Sequence, residues 1–211
     1  YQPANTSIGN FVVGSEDDLK AMTVAAHAHG IRIIVDVVAN HFTADWNAID
    51  SDWQKSEYFH ARNSCSGSGG DNIDYSNRWQ VTHCHLLGLW DLNTANPEVA
   101  NRMHDFLKTA VNDGVDGFRF DAGKHVELPN EFDGSQYWTT ILQNGSQYQY
   151  GEVLQGDSGL DYKAYANLYA KYGEGGGGAT ASDYGKTIRS ALWSKLSLIH
   201  ISEPTRHSLI S

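Results

Sequence analysis

Two acidic residues stand where short apolar runs end. Asp121 closes VDGFRFD, residues 115–121, and Glu152 lies in YQYGEVL, residues 148–154. If both runs are neighbouring strands, the two carboxyls face one mouth. Such a pair can cleave a glycosidic bond, one as nucleophile and the other as general acid/base; in retaining enzymes the carboxyls sit about 5–5.5 Å apart. Arg119 is two residues before Asp121 and so projects from the same side of a strand. A guanidinium there would keep the nucleophile ionised and oriented. Lys124 and His125 follow at once in GFRFDAGKH. On pattern alone, a set of ordinary strand-end ion pairs accounts for these residues equally well.

The elements that must position them can be read from periodicity and caps. Ser15 caps a helix whose first turn holds Glu16, Asp17 and Asp18, which suits the helix dipole. Leu19, Met22, Ala25 and Ala26 give that helix an apolar face, and Gly30 stops it. IRIIVDVVANH, residues 31–41, is a continuous β-branched run and predicts a strand buried on both faces, as in parallel sheets. Residues 96–114 predict a helix with Asn96 as cap, Pro97 at its first position and Gly114 past its end. Its buried stripe comprises Val99, Met103, Phe106, Leu107, Ala110 and Val111. Helices alternating with apolar strands predict an α/β fold with a parallel sheet, in which polar residues at the carboxyl ends of strands form the site. Asp36, Asn40 and His41 belong to one such cluster, Arg119, Asp121, Lys124 and His125 to the next, and Glu152 to a third. Residues 42–94 show no sustained period, and a loop that long is functional or a small domain of its own. GEGGGG, residues 173–178, predicts a flexible turn or linker.

Composition narrows the function classes. The 211 residues carry a formal net charge of −10, which argues against nucleic acid or an anionic membrane as partner. No apolar run reaches the ~18 residues a membrane helix needs. Cys65 and Cys84 lie in a Gly/Ser/Asn-rich region, where two thiols or one disulfide both fit. His83 and His85 flank Cys84, yet no second metal-ligand pair has suitable spacing for zinc. Trp46, Trp53, Trp79 and Trp90 could stack on sugars, but packing within the loop-rich segment is their commoner use.

Three motifs, DVVANH (36–41), GFRFDAGKH (117–125) and GEVL (151–154), resemble three successive motifs of the alpha-amylase family of glycoside hydrolases, in the same order. YQP (1–3) resembles the loop after that family's second barrel strand, and LLGLWDLN (86–93) the segment closing its inserted domain. The resemblance implies a partial TIM (β/α)8 barrel over residues 1–41 and 95–196, with a loop-rich, calcium-linked domain, residues 42–94, inserted after the third strand. It implies Asp121 as nucleophile, Glu152 as general acid/base and Arg119 as support for Asp121. Asp36, His41, Tyr1 and Gln2 would meet the sugar at the cleavage subsite, and Lys124 and His125 the leaving-group side. It also implies Ca2+ held by Asn40, Asp91 and the carbonyls of Thr82 and His125, a Cys65–Cys84 disulfide, and a chloride ion as an open option beside Arg119. The substrate would be an α-1,4-glucan, attacked internally with retention, by a secreted enzyme expected to be monomeric at full length.

The resemblance stops near residue 195. The family's fourth motif, with a further catalytic Asp, has no counterpart here. Residues 197–211 fit nothing before them and resemble a non-native tail. The 211-residue chain by itself is therefore expected to fold poorly and to hydrolyse little or no starch. Two alternatives stand beside the hydrolase: a transglycosylase of the same family, such as a cyclodextrin-forming enzyme, and a non-catalytic glucan-binding relative.

Overall fold

The computed structural model describes residues 1–10, 12–132 and 135–194; the expected tail at 197–211 lies outside them. Helix α1 spans Glu16–Ala28. The Ser15 side chain accepts from the Asp18 amide, and the Asp18 carboxylate accepts from the Ser15 amide, a complete capping box. Strand β1, Ile34–Val38, follows, and a short β2, His41–Phe42, leads into the loop-rich segment. Within that segment lie helix α2, Arg78–His83, and strand β3, Trp90–Asp91, which pairs antiparallel with β2. Helix α3, Pro97–Asn112, has Asn96 as its cap and Pro97 at its start, as its sequence predicts. Strand β4, Gly117–Asp121, helix α4, Tyr137–Ile141, strand β5, Tyr148–Gly151, helix α5, Tyr162–Tyr172, strand β6, Gly177–Ala179, and helix α6, Ser182–Ser194, complete the order.

Four strands form one parallel sheet in the order β1-β4-β5-β6. Strands thus enter the sheet in chain order, each joined to the next by a crossover containing helices. That is the repeat unit of an α/β barrel, and these four strands are part of one. Phe118 and Phe120 are fully buried toward the helices. Phe120 stacks on Tyr169 of α5 at 5.8 Å, and Trp138 of α4 meets both rings. The alternate residues of β4, Arg119 and Asp121, project from the other face.

Three expectations change. The run 31–41 is not one strand buried on both faces. It breaks after Val38, and Ile31 and Ile34 are 55% and 45% exposed, because β1 is the outer strand of the sheet among the described residues. The apolar face read on α1 is likewise uncovered at Met22, and Thr23 is its one buried residue. The stretch 173–178 holds the expected turn at 174–175 but is not a linker, because Gly177–Ala179 is the fourth strand of the sheet. Gly177 is there for closeness of approach. A Cβ on Gly177 would lie 2.2 Å from the Gln149 carbonyl oxygen and 2.6 Å from that of Tyr169. The same constraint acts at Gly151, where a Cβ would lie 2.3 Å from the Tyr169 ring. Gly151→Ala is expected to destabilise the protein by about 3 kcal/mol, since the ring is walled in by Phe120 and Trp138 and cannot withdraw; a urea midpoint unchanged from the parent would contradict this packing.

The loop-rich segment has its own aromatic nucleus. Trp53 and Phe42 are fully buried and 4.9 Å apart, and Trp46 and Trp90 are packed at 4.6 Å. Trp79 alone of the four tryptophans read in the sequence lies largely outside that nucleus, 37% exposed and stacked on His83. Cys65 and Cys84 form a disulfide with Cα atoms 5.7 Å apart, which ties the end of α2 to the middle of the segment.

Candidate active site

The site is organised by one guanidinium. Asp36 sits opposite Arg119 in the β1–β4 register, mid-strand rather than at a strand end. Glu152 follows β5 directly, and its amide donates to the Phe120 carbonyl at 2.8 Å. Arg119 Nη1 therefore reaches Asp36 Oδ1 at 2.7 Å and Asp121 Oδ1 at 2.8 Å, while Nη2 reaches Glu152 Oε2 at 3.1 Å. The sequence pairs Arg119 with Asp121 alone; the structure adds two carboxylates from the neighbouring strands. Hydrogen bonds to Asp36 and Asp121 outweigh partial burial and hold Arg119 well above its ordinary value, so it is a fixed cation at every working pH. Three carboxylates around one cation leave the cluster net negative.

Asp121 and Glu152 line a common cavity of about 460 Å³ with Ala122, Lys124, His125, Tyr75, Leu86, Leu154 and Asp157. Ala122 has φ 50°, a left-handed conformation that costs a non-glycine residue about 1–2 kcal/mol. It turns the chain sharply after Asp121, and its amide donates to Glu152 Oε2 at 3.3 Å. Lys124 Nζ pairs with Asp157 Oδ2 at 2.6 Å and lies 4.7 Å above the Tyr75 ring. On the other flank, the Tyr1 hydroxyl donates to Asp36 Oδ2 at 2.7 Å, and Tyr1 is 74% exposed. Gln2 is beside it, its Oε1 accepting from Thr43 Oγ1 at 3.4 Å. His41 is buried, with Nε2 at 3.3 Å from the Tyr1 carbonyl and Nδ1 beside Asn40. Burial lowers its pKa, so it is neutral near pH 7.

Burial, helped by the charge of Lys124, pushes His125 down to about 4, and its Nδ1 lies 2.8 Å from the Val81 carbonyl. A histidine left neutral in the fold takes up its proton only in the unfolded chain between its ordinary value, about 6.5, and about 4. Stability contributed by His125 is thus present above about pH 6.5 and is lost as pH falls toward 4, by about 3 kcal/mol. His125→Asn keeps a donor for Val81 and is expected to flatten the fall of the urea midpoint between pH 6.5 and 4.5. An unaltered slope would place the proton uptake elsewhere.

Asn40 and Asp91 meet at the foot of the loop-rich segment. Asn40 Nδ2 lies 3.2 Å from Asp91 Oδ1, and His60 Nδ1 2.7 Å from Asp91 Oδ2. Asp91 is fully buried, and burial pushes its carboxyl up to about 7. Such a carboxylate fits a bound cation, which would return it to the charged state. The His125 ring, with Nδ1 2.8 Å from the Val81 carbonyl, ties the turn after β4 to α2, in which Thr82 is the next residue. A carboxylate, a side-chain amide oxygen and two main-chain carbonyls would make an all-oxygen set, the donor type that suits a hard divalent cation. Cys84, in a disulfide, offers no thiolate between His83 and His85.

Three residues of the site went unread in the sequence: Tyr75, Asp157 and His60. Each lies in the irregular segment or on a turn, where no periodicity exists to place it. Asp157, five residues beyond Glu152, had the one available signal, an acid on the same strand-end loop as a candidate catalytic residue.

Carboxylates from three neighbouring parallel strands, gathered on one guanidinium in part of an α/β barrel, are of the kind that carbohydrate-cleaving enzymes use. Residues 9–174 match the family described as "Alpha amylase, catalytic domain", and the chain belongs to the alpha-amylase family. It is 34% identical over 194 residues to an alpha-amylase of Clostridium acetobutylicum, covering 83% of this chain and 24% of that protein. It is 31% identical over 218 residues to an alpha-amylase of Butyrivibrio fibrisolvens, covering 91% and 21%. Alpha-amylase I from Eisenia fetida, solved as an E249Q variant in complex with maltohexaose, superposes with a TM-score of 0.73 at 26% identity over 96% of this chain and 44% of that one. The chain thus spans about a quarter of the length of these curated relatives.

Proposed function

We propose that this chain carries the nucleophile and the general acid/base of a retaining endo-acting α-1,4-glucan hydrolase. The observation that carries the reading is the sharing of Arg119 by Asp36, Asp121 and Glu152 at a cavity both catalytic candidates line. Asp121 attacks the anomeric carbon as Glu152 gives its proton to the departing oxygen, so that the C–O bond breaks and a glycosyl ester forms. Glu152 then takes a proton from water, the water oxygen attacks the same carbon, and Asp121 leaves as carboxylate. Arg119 keeps Asp121 aimed along the first attack, and the net negative cluster favours the positive charge that develops on the ring. Tyr1, Gln2, Asp36 and His41 bind the sugar at the cleavage point; Lys124 and His125 bind the departing chain.

A calcium ion held by Asn40, Asp91 and the carbonyls of Thr82 and His125 would pin the loop-rich segment to the barrel. The disulfide suits an oxidising compartment, in keeping with a secreted enzyme. Among the described residues no helix is long and apolar enough to cross a membrane.

The test is made on the full-length gene product with maltoheptaose. Internal cleavage, an α-anomer as first product by proton NMR, and loss of thermal stability on chelation with restoration by Ca2+ support the reading. A β-anomer, or binding of starch without turnover, overturns it. Cyclic products would assign the transglycosylase instead, and comparison with and without chloride decides the chloride option.

A further inference from the structure

We propose that Arg78 is a positioning residue for the leaving-group side of the cavity, clamping the main chain on both sides of His125 from within the loop-rich segment. The inference rests on the glycosidase reading, because only there do Lys124 and His125 face a departing sugar chain. Arg78 opens α2, far from the two catalytic strands, and is 12% exposed. Its guanidinium donates to the carbonyl of Lys124 and, at 3.5 Å, to that of Val126. The same group forms a two-pronged pair with Glu131, Nε to Oε1 at 2.8 Å and Nη2 to Oε2 at 3.0 Å. Glu131 Oε2 also accepts from the Leu128 amide at 2.8 Å. Finally, Arg78 donates to the Tyr165 hydroxyl on α5, which donates in turn to the Val126 carbonyl. One planar fork thus joins α2, the turn 122–131 and α5.

The turn needs such a hold. It begins at Ala122 in a left-handed conformation, and strained backbone persists only where its surroundings over-determine it. From the barrel side it has the Gly123 amide on the Glu152 carbonyl at 2.8 Å. From the cavity side Asp157 holds the Lys124 ammonium, at 2.6 Å. Arg78 supplies the third side. A guanidinium can serve two carbonyls and a carboxylate at once because its donors are fixed in a plane; an ammonium cannot. Neither Lys124 nor His125 carries a signal for this partner, which lies 46 residues back in the chain.

The experiment compares Arg78→Lys and Glu131→Gln with the parent, in the full-length gene product, on two substrates. Maltoheptaose needs the leaving-group side. α-Maltosyl fluoride does not, since its leaving group is fluoride. Arg78→Lys is expected to raise KM for maltoheptaose at least tenfold while kcat/KM for the fluoride stays within twofold; Glu131→Gln should move the same way, about threefold. Equal losses on both substrates, or none on either, overturn the proposal. Hydrogen exchange supplies the second measurement, independent of turnover. In Arg78→Lys the amides of Gly123, His125, Val126 and Leu128 should exchange at least tenfold faster, with β4 and α3 unchanged. Uniform acceleration, or none, overturns positioning whatever the activity. A parent inactive on both substrates defeats the glycosidase reading, and the exchange pattern then decides the role of Arg78 alone.

Discussion

Asp121→Asn is expected to lower kcat on maltoheptaose by about 10⁴-fold or more, with KM nearly unchanged. The amide matches the carboxylate in shape and can still accept from Arg119 Nη1, so the loss isolates nucleophilicity from packing. The companion change, Glu152→Gln, separates the two roles by leaving group. An α-glucoside oxygen departs only with a proton, whereas fluoride departs without one. Glu152→Gln should therefore lose about 10³-fold or more on maltoheptaose but retain fast ester formation from α-maltosyl fluoride, while Asp121→Asn fails on both. Stopped-flow measurement of fluoride release makes the distinction. If Asp121→Asn releases fluoride at the parent rate, Asp121 is not the nucleophile. If Glu152→Gln loses both substrates equally, it is not the acid.

The second large effect is expected at Arg119. Arg119→Met leaves Asp36, Asp121 and Glu152 facing one another with no cation among them. Like charges that close oppose joint ionisation, so the variant should lose activity at a higher pH on its acid side than the parent does. We expect kcat to fall by about 10³-fold at the optimum, the scale of removing a preorganised electrostatic partner. Arg119→Lys keeps the charge but one ammonium cannot span three carboxylates, and it should recover part of the rate without restoring the parent's pH profile. A pH–rate curve for Arg119→Met that overlays the parent's would mean the cluster does not depend on its shared cation.

The helices flanking the site were legible because their information is local. Ser15 with Asp18, and Asn96 with Pro97, place their helix starts by contacts within one turn. Arg119 and Asp121 were legible as same-face neighbours because a strand alternates. The strand at Gly177–Ala179 was not, since Gly177 is selected by closeness to Gln149 and Tyr169, and that closeness exists only in the folded chain. Helix α5 was missed for a related reason: Tyr165 and Tyr169 are aromatic, which reads as strand or loop, and only their burial against β4 and α4 makes them core. The residues that hold the site from behind were invisible in principle. Arg78 meets Glu131 across 53 residues and Tyr165 across 87, and no local pattern encodes either. The burial expected of IRIIVDVV failed because the sequence tells how apolar a strand is, not whether a neighbour stands on its far side.

The sheet's simple order has a bearing on biosynthesis. Asp36 leaves the ribosome 83 residues ahead of Arg119, an interval of roughly 4–17 s at ~5–20 residues per second. Throughout that interval β1 has emerged without the strand that will cover its inner edge, and its run of Ile and Val carries a single acid. Segments of that composition with open edges pair readily with other chains. An acid at position 36 is therefore expected to guard the nascent chain before it pairs with Arg119, and Asp36→Val should shift the product from the soluble fraction toward inclusion bodies.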